Sequence, residues 1–260
     1  MKRKLHIPAC LLTLMAVIVL PGCKKALQEI ATQEIVQACR IQKIVYTGAY
    51  EPLDSMMFTY DAYGNPLTAI RPDPRTGYTN FLWRYDTRHR LTDMIEPYGV
   101  DVSTDDPPEN WHRFFYDNKG RIAEDSDYYF PAVVNGHPVS GPFGGVRRFD
   151  YTYDNYDRLI SLTRVQYGNV VFTYDFSYGP GGNLTGRTYD DKINFRRTNK
   201  LWQFLSLDYS VNNPLTATYR YDRLGLPVTI DVIGETRAEL IDGYYGDLSF
   251  NQATIQYDCR

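Results

Sequence analysis

The sequence predicts an all-β protein, an antiparallel meander of repeated hairpins that forms one large rolled or twisted sheet. Three observations predict it. A phrase of tyrosine, aspartate and, three residues after the aspartate, glycine or a substitute for it recurs at irregular intervals: Tyr60-Asp61-Ala62-Tyr63-Gly64, Tyr85-Asp86-Thr87-Arg88-His89, Tyr116-Asp117-Asn118-Lys119-Gly120, Tyr153-Asp154-Asn155-Tyr156-Asp157 and Tyr221-Asp222-Arg223-Leu224-Gly225. The residues before each copy alternate with period two, as in Phe58-x-Tyr60, Trp83-x-Tyr85, Phe114-x-Tyr116, Tyr151-x-Tyr153 and Tyr219-x-Tyr221, which places them on one face of a strand. The composition is that of strands: 23 of the 260 residues are tyrosine, a residue that suits a pleated, half-buried surface.

Residues 1–22 read as a lipoprotein signal peptide. Lys2, Arg3 and Lys4 give a positive start, and Leu5 to Leu20 is apolar but shorter than the ~20 residues that span a bilayer. It ends in Leu20-Pro21-Gly22-Cys23, which resembles a lipobox, so Cys23 is the expected lipidation site, carrying acyl chains such as palmitate. Pro21 departs from the usual small residue, and an ordinary signal peptide with a chance cysteine is the competing reading. Residues 23–38 form a polar tether. Residues 39–260 form a single β-hairpin repeat domain, because no shift of composition divides them.

The turn chemistry explains the phrase. Asp61, Asp86, Asp117, Asp154 and Asp222 stand where a tight turn favours a short acceptor side chain. Gly64, Gly120 and Gly225 follow three residues later, where φ > 0 is expected, and His89 and Asp157 are among the few other types that tolerate it. A branched aliphatic then restarts the strand pattern, as at Leu91 and Leu159. Weaker copies begin at Tyr178 and at Tyr209, the latter with an expected Asn212-Asn213-Pro214 turn. Inserts interrupt the phrase at 97–112 and 128–145; the second contains Asn135-Gly136, the signal of a protruding hairpin tip.

The best copy, Tyr116 to Ile122, resembles the tyrosine-aspartate repeats of the rearrangement-hotspot and teneurin type, whose hairpins join edge to edge into a rolled sheet. About seven corners are too few for a large enclosing shell, so the resemblance implies hairpin geometry rather than encapsulation. The wider layout is similar to lipoproteins of Bacteroidota that open with Cys-x-Ile-x-x-Ile and end in Tyr-x-Cys; here these are Cys39 to Ile44 and Tyr257-Asp258-Cys259.

Four cysteines divide by place. Cys10 leaves with the signal, Cys23 carries lipid, and Cys39 and Cys259 remain at the two ends of the repeat domain in an oxidising compartment. These two are expected to form a disulfide, with two buried free thiols as the alternative. Removal of residues 1–22 takes the formal net charge from −3 to about −6. An acidic chain without a basic run is a poor nucleic-acid binder.

The usual catalytic signatures are missing, so no catalytic residue, cofactor or metal is assigned. Carboxylates pair at Asp105-Asp106 with Glu109, at Asp125 with Asp127 and at Asp190-Asp191; an acidic hydrolase would need two such groups converging in a cleft. The expected function is a non-enzymatic envelope lipoprotein, a β-rich scaffold or interaction module anchored by Cys23. Outer-membrane attachment is expected, with the periplasmic face slightly ahead of the cell surface, and any protein or glycan partner is unidentified. The alternative is a glycan-binding module for polysaccharide capture, which needs exposed aromatics such as Trp83, Trp111 and Trp202 in a row. The candidate ligand-binding residues are Trp111, His112, Tyr128 and Tyr129, beside the two inserts.

Overall fold

The computed structural model describes residues 38–48, 53–102, 106–234 and 236–259. The signal peptide 1–22, Cys23 and almost all of the tether lie outside them, as does Asp105.

Strands β1 (Cys39–Thr47), β2 (Asp54–Tyr60), β3 (Pro66–Ile70), β4 (Phe81–Tyr85), β5 (Leu91–Ile95), β6 (Asn110–Tyr116) and β7 (Ile122–Tyr129) form a meander. A small hairpin of β8 (Ala132–Val134) and β9 (His137–Val139) then stands apart, its tip formed by Asn135 and Gly136 at φ 51° and 74°. β10 (Gly145–Tyr153), β11 (Leu159–Gln166) and β12 (Asn169–Asp175) continue the meander. The chain next leaves the sheet through β13 (Tyr189–Ile193), a short helix Lys200–Leu205 and β14 (Asn212–Pro214). It rejoins at the opposite edge as β15 (Ala217–Tyr221) and β16 (Pro227–Val232). After a hairpin of β17 (Ala238–Ile241) and β18 (Leu248–Phe250), β19 (Gln252–Cys259) enters between β16 and β1. The 13-stranded order is β12-β11-β10-β7-β6-β5-β4-β3-β2-β1-β19-β16-β15, all antiparallel, and β12 and β15 do not meet, so this is an open sheet and not a closed barrel.

The repeated phrase forms the hairpin corners. In each of the five full copies the residue three after the aspartate donates its N–H to the aspartate carbonyl at 2.9–3.2 Å. That residue has φ between 57° and 91°, whether it is glycine, His89 or Asp157. One oxygen of the aspartate accepts the backbone N–H groups two and four residues on, as Asp117 does from Lys119 and Arg121 at 2.8 and 2.9 Å. Its other oxygen holds the arginine four residues on in the copies at Arg90, Arg121 and Arg158.

In three of the five full copies the tyrosine joins one hairpin to the one before it, which turn chemistry alone does not reveal, whereas Tyr221 donates to Asp190. Tyr85 donates its hydroxyl to the Pro66 carbonyl, Tyr116 to Leu91 and Tyr153 to Ile122, each at 2.8 Å. Tyr60 and Tyr257 repeat the bond to Ile41 and Pro227. In each case but Tyr60 the acceptor is at the start of the preceding hairpin's return strand. The preceding hairpin's arginine lies over the same ring: Arg90 over Tyr116 at 4.7 Å, and Arg121 over Tyr153 at 4.9 Å. Such cation–π contacts add to the hydrogen bond.

The inner face of the sheet wraps around the segments that leave it. Trp202 packs edge-on against both Phe58 and Trp83, and Phe204 meets Phe114, Tyr151 and Tyr245. Phe250 reaches Tyr46, and Tyr244 reaches Phe172. These contacts run from β1 to β12, so the sheet is rolled about a plug of aromatic residues. Each fully buried aromatic contributes about 2–3 kcal/mol. Cys39 and Cys259 face each other in register and are disulfide-bonded, tying the first and last strands together.

Two expectations need correction. The Tyr178 copy makes the turn, with Gly182 at φ 79°, but only a single bridge between Tyr178 and Leu184 follows it. Asn212-Asn213-Pro214 is a strand paired with β13 rather than a turn, because Asn213 is buried and bonds Asp190 and Ile193. The helix was hidden by its length: six residues give no readable period, and its start is fixed by Asn199 accepting the Leu201 N–H.

Candidate functional site

The four residues singled out near the inserts do not share a surface. Alternation along a strand sends neighbours to opposite faces. Trp111 and Tyr128 are register partners on the outer face, whereas His112 pairs with Asp127 on the inner one. Trp111 and His112 are fully buried, and Tyr128 and Tyr129 are half-buried. Arg84 covers the Trp111 ring at 5.0 Å, and the indole N–H donates to Asp93 at 2.8 Å. Arg147 lies over Tyr129 at 4.8 Å. Trp83 and Trp202 are also buried, at 3% and 0% exposure. The exposed row of tryptophans that the glycan reading needs is therefore absent, because these rings are taken by the plug and by arginine cover.

The inner face holds a charged cluster instead. His112, Asp127 and Arg147 form a cross-strand row over β6, β7 and β10. His112 Nδ1 is 2.8 Å from Asp125 Oδ2, while Nε2 faces Asp127 Oδ1 at 3.7 Å and Glu96 Oε1 at 3.8 Å. Arg147 caps the other oxygen of Asp127. Thr79 donates to Glu96 at 3.2 Å, and the Tyr151 and Tyr245 hydroxyls bond each other at 2.6 Å beside Asp125. Glu96, His112, Asp125 and Asp127 are each at most 1% exposed.

Burial favours neutral groups and opposite charge favours ionised ones. Burial pushes Glu96 up to about 7, His112 working against it. Burial pulls His112 down, but Asp125 and Asp127 together outweigh it and raise the imidazole to about 9. The cluster can hold a proton, and its imidazole and carboxylates are buried. Among the described residues no group of three or more histidine, cysteine or acidic side chains is placed to hold a metal ion.

Sequence reasoning named His112 and the Asp125–Asp127 pair separately but not their meeting, nor Glu96 and Arg147. A readable signal existed: Asp125 and Asp127 occupy alternate positions of one strand, on the face where other strands carry Phe or Tyr. Glu109, weighed as part of an acidic insert, accepts from the Gly77 N–H and the Tyr98 hydroxyl at 2.7 and 2.8 Å. Asp190 is bonded by Asn213 and by the Tyr221 hydroxyl.

The architecture defines the chain as an open antiparallel β-roll built of locked hairpins. It is similar to a porin-like protein from Bacteroides uniformis, with a TM-score of 0.50, 12% identity, and coverage of 85% of this chain and 98% of that one. A chain of the TcdB2-TccC3 assembly aligns with a TM-score of 0.24 and 11% identity over 76% of this chain and 11% of that one. A chain of the Photorhabdus luminescens Tc holotoxin pore gives 0.24 and 12% over 77% and 11%. No family model and no curated protein matches the chain.

Proposed function

We propose that this chain is a non-enzymatic envelope lipoprotein of the tyrosine-aspartate repeat kind, anchored in the outer membrane through Cys23, with the rolled sheet as a scaffold or interaction module. The observation that carries the reading is where the repeat's reactive side chains go. Each phrase tyrosine that locks hairpins has its hydroxyl on a carbonyl, and each phrase aspartate has a carboxylate oxygen on its own turn. The acidic groups left over at His112 are sealed from solvent. What supports the envelope setting is the signal-like segment ending at Cys23, the disulfide between Cys39 and Cys259, and the likeness in fold to a porin-like protein. Each acyl CH2 buried in a bilayer contributes about 0.8 kcal/mol, and two or more chains hold a protein stably.

The periplasmic face is favoured because lysines, Lys24 and Lys25, rather than acidic residues follow Cys23. The test is fractionation of cells producing the Cys23→Ala chain. It should leave the membrane fraction while its sheet, followed by circular dichroism, is unchanged. Membrane association that persists in this variant would remove the anchor from the account.

A further inference from the structure

At the turn ends of the hairpins the roll opens into a cavity of about 1220 Å³, between the tyrosine ladder and the crossing segment that carries the short helix. Its wall is cationic in a chain whose formal net charge is −3. Arg90, Arg121 and Arg158 line it, each holding its own hairpin's aspartate through Nε and Nη2 at 2.6–2.8 Å. A guanidinium has five N–H donors, so these arginines are fixed in place with donors left over, and Arg121 uses one on Asp157 at 3.1 Å. Lys119 and Lys200 also line the cavity and make no ion pair among the described residues. Asp157 is the single carboxylate among the lining residues.

The spacing is regular. Each hairpin adds two strands, so successive ladder arginines recur at roughly 10 Å along the wall. The hydroxyls of Tyr116 and Tyr153 are engaged with carbonyls and their rings lie under Arg90 and Arg121, and the rings and guanidinium groups together line the cavity. Tyr156, 81% exposed, has its ring under Arg158 at 5.1 Å. Guanidinium groups fixed at this interval match a chain of pyranose rings that bears a negative group on every second sugar. A nucleic-acid strand carries a phosphate on every nucleotide, far denser than the ladder.

We infer that this cavity binds an acidic saccharide chain, its carboxylate or sulfate groups meeting Arg90, Arg121 and Arg158 in turn, with Lys119 and Lys200 at the opening. The inference rests on the interaction-module reading and gives it a ligand class. It places the site at the hairpin turns rather than at the tryptophans.

The test is calorimetric titration of the full chain in detergent with three oligosaccharides of equal length: alternating uronate, alternating sulfate, and neutral. At least one acidic probe should bind and the neutral one should not, and added salt should weaken the binding. The exposed double variant Lys119→Glu/Lys200→Glu should weaken it about ten-fold or more with an unchanged melting temperature. Whichever acidic probe binds identifies the charged group. The inference is overturned if neither acidic probe binds, if the neutral probe binds equally, if charge reversal has no effect, or if duplex DNA binds more tightly than either saccharide. A Cys23→Ala chain that stays in the membrane but binds the saccharide would remove the anchor and leave this site standing. Release without saccharide binding would do the reverse.

Discussion

Raising the pH from about 5 to about 9 is expected to weaken the fold, because buried groups in and near the His112 cluster keep protons that the unfolded chain would release. Glu96 titrates at about 7 in the folded chain against 4.5 unfolded. Its raised value contributes stability that is complete below 4.5 and is lost as the pH climbs through about 7. His112 titrates at about 9 against 6.5, so its contribution is complete below 6.5 and is lost through about 9. Each gap converts to roughly 3 kcal/mol. Their charges face each other across 3.8 Å, so the joint loss is about 3–5 kcal/mol. Glu239, also raised to about 7 by burial with Asp242 nearby, adds to the trend with the same sign. The Glu96→Gln variant isolates the cluster: at about pH 8 it should be more stable than the parent by up to about 3 kcal/mol, and at about pH 4 nearly equal to it. The assay is urea unfolding at a series of pH values with the disulfide intact. Stability that is flat or rising across this range, or a Gln variant that is weaker at pH 8, would show that Glu96 and His112 do not hold these protons in the folded chain.

Two further outcomes follow from particular contacts. Gly120 sits at φ 78° with nothing within 4 Å of an added Cβ, so Gly120→Ala should cost about 1 kcal/mol from backbone conformation alone, and Gly120→Asn distinctly less, read as melting temperatures. The Cys39–Cys259 bridge spans 220 residues; the Cys39→Ser/Cys259→Ser pair should lose up to about 5 kcal/mol in guanidinium unfolding, and the untreated exported parent should show no alkylatable thiol at either position by mass spectrometry.

The hairpins were legible because their causes are local. Asp117 and Gly120 set one turn within five residues, and Phe114 and Tyr116 declare a strand face. Cys39 and Cys259 were legible on another ground, as the two cysteines left at the two ends of the repeat domain. What was not legible depends on distant residues. Nothing near Tyr116 shows that its hydroxyl will reach Leu91, 25 residues back. The Tyr167-Gly168 turn between β11 and β12, with φ 51° and 78°, lacks the phrase and escaped notice. The crossing segment is stabilised by what it fills, so Trp202 reads as an isolated aromatic until Phe58 and Trp83 surround it. The candidate site failed for a related reason: Trp111 and His112 are adjacent in sequence and therefore on opposite faces of the sheet.

The tyrosine lock between hairpins, at Tyr85, Tyr116 and Tyr153, is what joins the repeats into one roll. Its most direct test is denaturant unfolding of Tyr85→Phe, Tyr116→Phe and Tyr153→Phe, singly and together, with the 72%-exposed Tyr63→Phe as control. Each single variant should lose about 1 kcal/mol by leaving a strand carbonyl without its phenol. The sites are about 10 Å apart, so the triple variant should lose about 3 kcal/mol, close to the sum. The control should be unchanged. A triple variant as stable as the parent would show that these tyrosines do not lock the hairpins.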